Sequence, residues 1–137
     1  MATQTGGIRV LLVDDQRMVR EGIRSLLECI ESIDVVGEAC NGAEAIASVG
    51  QLNPQVVVMD INMPKMDGLA ATRLVRRHYP SVAVLGLSVT EDSYQKTAMV
   101  KAGAFRVMTK GMHGLDELRQ EIEKAAATMQ FLSRARK

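Results

Sequence analysis

Short aliphatic runs recur along the chain, each followed by a stretch whose apolar positions fall three or four residues apart. The runs are Ile8 to Val13, Ile33 to Gly37, Val56 to Met59, Val82 to Leu87 and Ala104 to Thr109. Four to six β-branched and aliphatic residues without polar alternation predict strands buried on both faces, as in a parallel sheet. The intervening stretches predict helices with one inward face. Their apolar positions are Met18, Val19, Ile23, Leu26, Leu27 and Ile30 in the first, and Ala43, Ile46 and Ala47 in the second. The third carries Ala71, Leu74, Val75 and His78, the fourth Tyr94, Ala98, Met99 and Ala102, and the fifth Leu115, Leu118, Ile122, Ala125 and Met129. Asn53-Pro54 and Tyr79-Pro80 stop helices, and Gly103 is placed to cap one. The fifth run is the most polar and reads as an edge strand. Strands alternating with helices imply right-handed crossovers and helices on both sheet faces, a three-layer α/β domain of five βα units.

The polar residues at the ends of these runs change the picture from fold to chemistry. Asp14 and Asp15 follow the first run, Asp60 the third, Ser88 the fourth and Lys110 the fifth. Functional groups in open parallel sheets gather at the carboxyl ends of the strands, so these residues are expected to meet at one rim. Two carboxylates about 6 Å apart at an effective dielectric near 20 repel by roughly 2–3 kcal/mol. Three such pairs call for a counter-ion, and oxygen donors of this kind suit Mg2+. A carboxylate oxygen of Asp60 would then attack phosphorus, with Lys110 and Ser88 neutralising phosphoryl oxygens. Each residue alone also has an ordinary role: Asp14 or Asp15 as a helix cap, Asp60 in a turn, Ser88 as a satisfied hydroxyl, Lys110 as a solvated charge. Their joint placement on four strand ends favours the pocket. His78 and His113 show no partner pattern and read as surface residues.

Composition removes other classes. With 137 residues the chain fits one domain, and a net charge of +1 gives no electrostatic case for nucleic acid or an anionic membrane. The expected segments are a disordered 1–7, a domain over 8–130, and a tail or linker over 131–137. Cys29 and Cys40 lack zinc spacing and read as reduced thiols, and no apolar run reaches the ~18 residues of a membrane span, so the expectation is cytoplasmic.

The ordered set of Val13-Asp14-Asp15, Met59-Asp60-Ile61-Asn62-Met63-Pro64, Asp67-Gly68, Ser88, and Ala102-Gly103-Ala104 with Lys110 resembles the receiver domain of bacterial response regulators. Gly37-Glu38-Ala39 and Thr109-Lys110-Gly111 are similar to the NarL/FixJ (LuxR-type) group. The resemblance implies a flavodoxin-like sheet of order 2-1-3-4-5 and a signalling protein, not an enzyme acting on an outside substrate, that promotes its own phosphorylation and dephosphorylation. It assigns Asp60 as phospho-acceptor, Asp14, Asp15, Asp60 and Asn62 to Mg2+, and Ser88 and Lys110 to the phosphoryl group. Asn62 and Thr90 match positions that tune the lifetime of the phosphorylated form. Implied partners are a sensor histidine kinase or phosphotransfer domain, a second copy in a homodimer, and DNA only through a C-terminal domain absent from this chain, with no membrane.

Two positions depart from the family. Val107 stands where a switching Tyr or Phe is usual, and Gly111 where proline is usual. Phe105, two positions before Val107, is expected by strand alternation to share its face. The residues Gln130 to Ser133 resemble the passage into a linker, and the reading favours a receiver cut from a longer DNA-binding protein over a single-domain regulator. A haloacid-dehalogenase-type phosphatase would want an Asp at position 62, where Asn stands. A dinucleotide-binding fold would need a glycine-rich turn in place of Asp14-Asp15-Gln16-Arg17. A phosphate-independent interaction module of the same fold remains as the alternative.

Overall fold

The computed structural model describes residues 7–63, 67–89, 92–110 and 114–135. Thr90, Pro64, Gly111, His113 and the first six residues lie outside them, and with them the expectations placed there. The chain runs β1 (Ile8–Val13), α1 (Arg17–Glu28), β2 (Ile33–Ala39), α2 (Gly42–Leu52), β3 (Val56–Asp60), α3 (Gly68–His78), β4 (Ala83–Ser88), α4 (Ser93–Ala102), β5 (Arg106–Thr109) and α5 (Leu115–Ala135). The strands form one parallel sheet of order β2-β1-β3-β4-β5, as expected. β3 and β4 are buried at every position, which explains their unbroken apolar runs.

Alternate side chains along the strands feed two cores. Val10, Leu12, Val58, Leu85 and Met108 pack with α1 and α5 through Leu27, Ile122 and Ala125. Leu11, Val57, Met59 and Val84 pack with α2, α3 and α4 through Val49, Val75 and Met99. The helix ends follow their local chemistry. Asn41, Asp67 and Asp92 accept hydrogen bonds from the first turns of α2, α3 and α4, while Asn53 (φ 52°) and Gly103 (φ 116°) end α2 and α4 in the left-handed region. α5 continues unbroken across the expected change of segment at 130–131.

Several expected inward positions face outward. Met18 is 87% exposed, Tyr94 81% and Leu26 51%; His78 is exposed, in keeping with its reading as a surface residue. The apolar stripes of α1 and α4 are wider than the surface the sheet offers them, so their margins stay in solvent. Phe105 also differs from its expectation. It precedes β5, outside the pleat that would impose alternation, and packs in the α1/α5 core, whereas Val107 packs in the α4 core on the opposite face. Among the described residues no helix is long and apolar enough to cross a membrane.

Candidate acidic pocket at the carboxyl ends of the strands

The rim is built by parallel registration. β1 and β3 pair so that Val13 lies beside Met59, and Asp60 on β3 lies beside Leu87 on β4. Ser88 pairs with Thr109, so the next residue, Lys110, emerges at the same level, with its backbone N–H donating to the Ser88 carbonyl at 2.6 Å. Asp14 leaves β1 tied to β2, its N–H donating to the Ala39 carbonyl. The chain turns there because the Asp14 carboxylate accepts the Gln16 N–H at 2.9 Å, one residue before α1 begins.

Asp14, Asp15 and Asp60 each place a carboxylate oxygen within 4.8 Å of the others. Asp14 and Asp60 are buried and Asp15 is exposed at the mouth. The Lys110 ammonium reaches in from β5, 2.7 Å from Asp14 Oδ2 and 3.4 Å from Asp60 Oδ1. The Asn62 backbone N–H donates to Asp60 Oδ1 at 3.1 Å. Burial pushes the Asp60 carboxyl up to about 6, against the lowering influence of Lys110. The Asp14 charge and a hydrogen bond with Asp15 contribute to this rise, and the Asn62 N–H opposes it. The pocket thus holds more negative charge than its lysine neutralises.

Ser88 is fully buried beside this cluster. Val107, opposite Gly86 in the register, lies on the α4 side of the sheet and outside the acidic cluster. Two residues that the sequence reading passed over also bear on the pocket. Arg20 on α1 donates from Nη1 to the Asp14 backbone carbonyl at 2.6 Å and pairs through Nε with Glu38 on β2. Arg24 joins the same carboxylate, and the hydrogen bonds from Arg20 and then Arg24 hold the Glu38 carboxyl below its ordinary value. The spacing of Arg20 and Arg24, one helical turn apart, was the available signal. Gln95 on α4 donates to Asn62 Oδ1, a contact that no sequence pattern announces.

The junction between β3 and α3 depends on a glycine. A Cβ at Gly68 would overlap the Asp60 carbonyl oxygen and crowd the Ile61 Cα, and the Gly68 N–H donates to the Ile61 carbonyl at 2.9 Å. The start of α3 therefore lies directly against the acidic strand end.

Known proteins resemble this chain in sequence and fold. Residues 10–123 match the response regulator receiver domain family. The response regulator GacA of Pseudomonas viridiflava is 41% identical over 126 residues, 92% of this chain and 58% of that protein. The transcriptional regulatory protein DegU of Brevibacillus brevis is 38% identical over 105 residues, 77% of this chain and 44% of that protein. Among solved structures, the signal receiver domain of a NarL response regulator from Mycobacterium tuberculosis superposes with TM-score 0.84 at 29% identity, covering 88% of this chain and 97% of that one. A LuxR-family response regulator from an Aurantimonas species gives TM-score 0.83 at 34% identity, covering 89% and 86%. The chain spans 58% of the length of the GacA protein and less of DegU. On the ordered motifs, the sheet topology and these matches, the chain belongs to the response regulator receiver domains of two-component systems, in their NarL/FixJ group.

Proposed function

We propose that this domain accepts a phosphoryl group on Asp60 from a histidine of a sensor kinase or phosphotransfer domain. The observation that carries the reading is the convergence of Asp14, Asp15, Asp60 and Lys110 from three strand ends into one pocket. The donor set fits a hard divalent cation: three carboxylates offer oxygen ligands beside a single ammonium, that of Lys110. Asp14, Asp15, Asp60 and the Asn62 backbone carbonyl would hold Mg2+. When bound, Mg2+ supplies positive charge that offsets the carboxylates and the incoming phosphoryl oxygens. Asp60 is the nucleophile: one of its oxygens bonds to phosphorus as the phosphorus–nitrogen bond of the donor histidine breaks, giving an acyl phosphate. Lys110 then exchanges its carboxylate partners for a phosphoryl oxygen, and the Ser88 hydroxyl donates to another.

The donor has a place to dock. α1 and α5 border an apolar groove of about 350 Å³ that runs from exposed Met18 and Leu26 past Leu115 and Leu118 to Lys110. On the output side, phosphorylation adds about −1.5 to −2 of charge beside β4 and β5. The α4–β5–α5 face responds without an aromatic side chain at Val107, and the conformational change is expected to be smaller there. The domain's output is transcriptional, through a DNA-binding domain, as the relative named a transcriptional regulatory protein suggests.

Incubation with acetyl phosphate and Mg2+ followed by intact mass tests the reading. One added phosphoryl group is expected in the native chain and none in Asp60→Asn. No uptake by the native chain would instead support the phosphate-independent module.

A further inference from the structure

Gln95, in the first turn of α4, reaches across to the loop after β3, its Nε2 donating to the Asn62 Oδ1 at 3.3 Å. The other end of the Gln95 amide, Oε1, is buried and finds no hydrogen-bond partner among the described residues. A buried acceptor left unpaired is costly. The recess around it, about 290 Å³, is walled mainly by Ile61, Met63, Leu69, Ala98 and Met99. A methionine would fill such a place without the cost. What the amide adds is its donor to Asn62.

Asn62 is close to the chemistry. Its backbone N–H is on Asp60 Oδ1 and its side chain is exposed. An asparagine amide has one acceptor end and one donor end. Gln95 engages the acceptor, so the end left for other partners is the Nδ2 donor. Resting on the reading of Asp60 as phosphoryl acceptor, we propose that Gln95 is a positioning residue that slows hydrolysis of the Asp60 acyl phosphate by holding the Asn62 carbonyl away from the attacking water.

The chemistry gives the direction. In hydrolysis a water oxygen bonds to phosphorus, the bond from phosphorus to the Asp60 oxygen breaks, and its electron pair returns to the carboxylate. Inorganic phosphate leaves with the water's oxygen and hydrogens, one proton passing to solvent at neutral pH. A water that is losing a proton is assisted by a nearby acceptor and not by a donor. With its carbonyl held towards Gln95, Asn62 turns its amino end, a donor, to the water, and the phosphorylated form persists.

The test loads the full chain with acetyl phosphate and Mg2+, removes the donor, and follows decay of the phosphorylated mass. Gln95→Met keeps the shape and loses the hydrogen bond, and decay is expected about fivefold faster, the scale of one hydrogen bond. Gln95→Glu can only accept, so Asn62 must turn its amino end inward and free its carbonyl, and decay is expected faster still. In an Asn62→Ala background, Gln95→Met should add nothing. If Gln95 merely staples the loop, Gln95→Glu retains a hydrogen bond and decays like the native chain. That result overturns the proposal, as does decay in Gln95→Met that is unchanged or slower, or an effect that persists without Asn62. A native chain that takes up no phosphate overturns both this proposal and the acceptor reading. A native chain that loads, with variants decaying alike, overturns this one alone.

Discussion

Asp60 sits where burial and its neighbours disagree about its charge. In the metal-free protein its carboxyl titrates near 6, against an ordinary value near 3.8, chiefly because it is buried. Between those values the folded chain therefore binds more protons than the unfolded one. This contribution to stability is present below about pH 4 and is lost as pH rises through about 6. Glu38 acts in the opposite sense: its carboxyl is lowered by Arg20 and Arg24, so its contribution is present at neutral pH and fades as pH falls. Asp60→Asn separates the two. Without Mg2+, urea unfolding should show the variant more stable than the native chain by about 1–3 kcal/mol at pH 7.5, with the difference shrinking towards pH 4. An equal difference at both pH values would mean that the carboxyl is not strained. Lys110→Met tests the same balance from the other side. Loss of the ammonium 2.7 Å from Asp14 leaves the carboxylates less compensated, so Mg2+, measured by calorimetry, should bind more tightly than to the native chain.

At the level of elements, the site depends on how closely helices approach strand ends, and here the sequence was legible only in part. The strands followed from runs such as Val56 to Met59, because burial on both faces leaves no polar residue to interrupt the pattern, while their order rested on the family resemblance. The acidic cluster followed from those runs, since parallel registration brings their ends level. Helix faces were harder to read. Met18 and Tyr94 satisfy the helical period yet lie outside the core, because periodicity marks a stripe and not the width of the sheet beneath it. Phe105 was misplaced because alternation was applied beyond the strand's first residue. The close fit of Val107 and Met99 over Gly86 was hidden as well. A Cβ there would come within 3.0 Å of the Met99 methyl and 3.2 Å of Val107, a relation between three elements that no local pattern encodes. Gly68 is the sharpest case of such an approach. In Gly68→Ala the new methyl meets backbone and cannot be accommodated by a rotamer change. The variant should lose about 2–3 kcal/mol in urea unfolding, the upper part of the range for overpacking. A loss under ~0.5 kcal/mol would show that α3 shifts away freely, and with it that the β3–α3 junction does not hold the pocket rigidly.

For the molecule as a whole, the pocket exists only when the chain is folded. Asp14 and Asp60 stand at the ends of strands separated in sequence by α1, β2 and α2, and Lys110 arrives from the far edge of the sheet. In the unfolded chain these groups are dispersed, so a cation that needs all three carboxylates binds the native state and not the unfolded one. Such binding must raise stability by mass action. At a Mg2+ concentration ten times its dissociation constant the gain is about 1.4 kcal/mol, which for a domain of this size corresponds to a rise of about 4–6 °C in Tm. Two features make the response diagnostic. Asp15 is exposed, and an asparagine there can still hydrogen-bond Asp60, so Asp15→Asn should leave the metal-free Tm nearly unchanged while removing most of the Mg2+ response. Ca2+, which is larger and takes more ligands than three carboxylates and a carbonyl provide, should give a smaller rise at equal concentration. A Tm in thermal melts that ignores Mg2+, or rises equally in Asp15→Asn, would show that the carboxylates converge for another purpose. A response confined to the native set would tie metal binding and the strand order to a single physical cause: the sheet brings three carboxylates together where a cation relieves their repulsion.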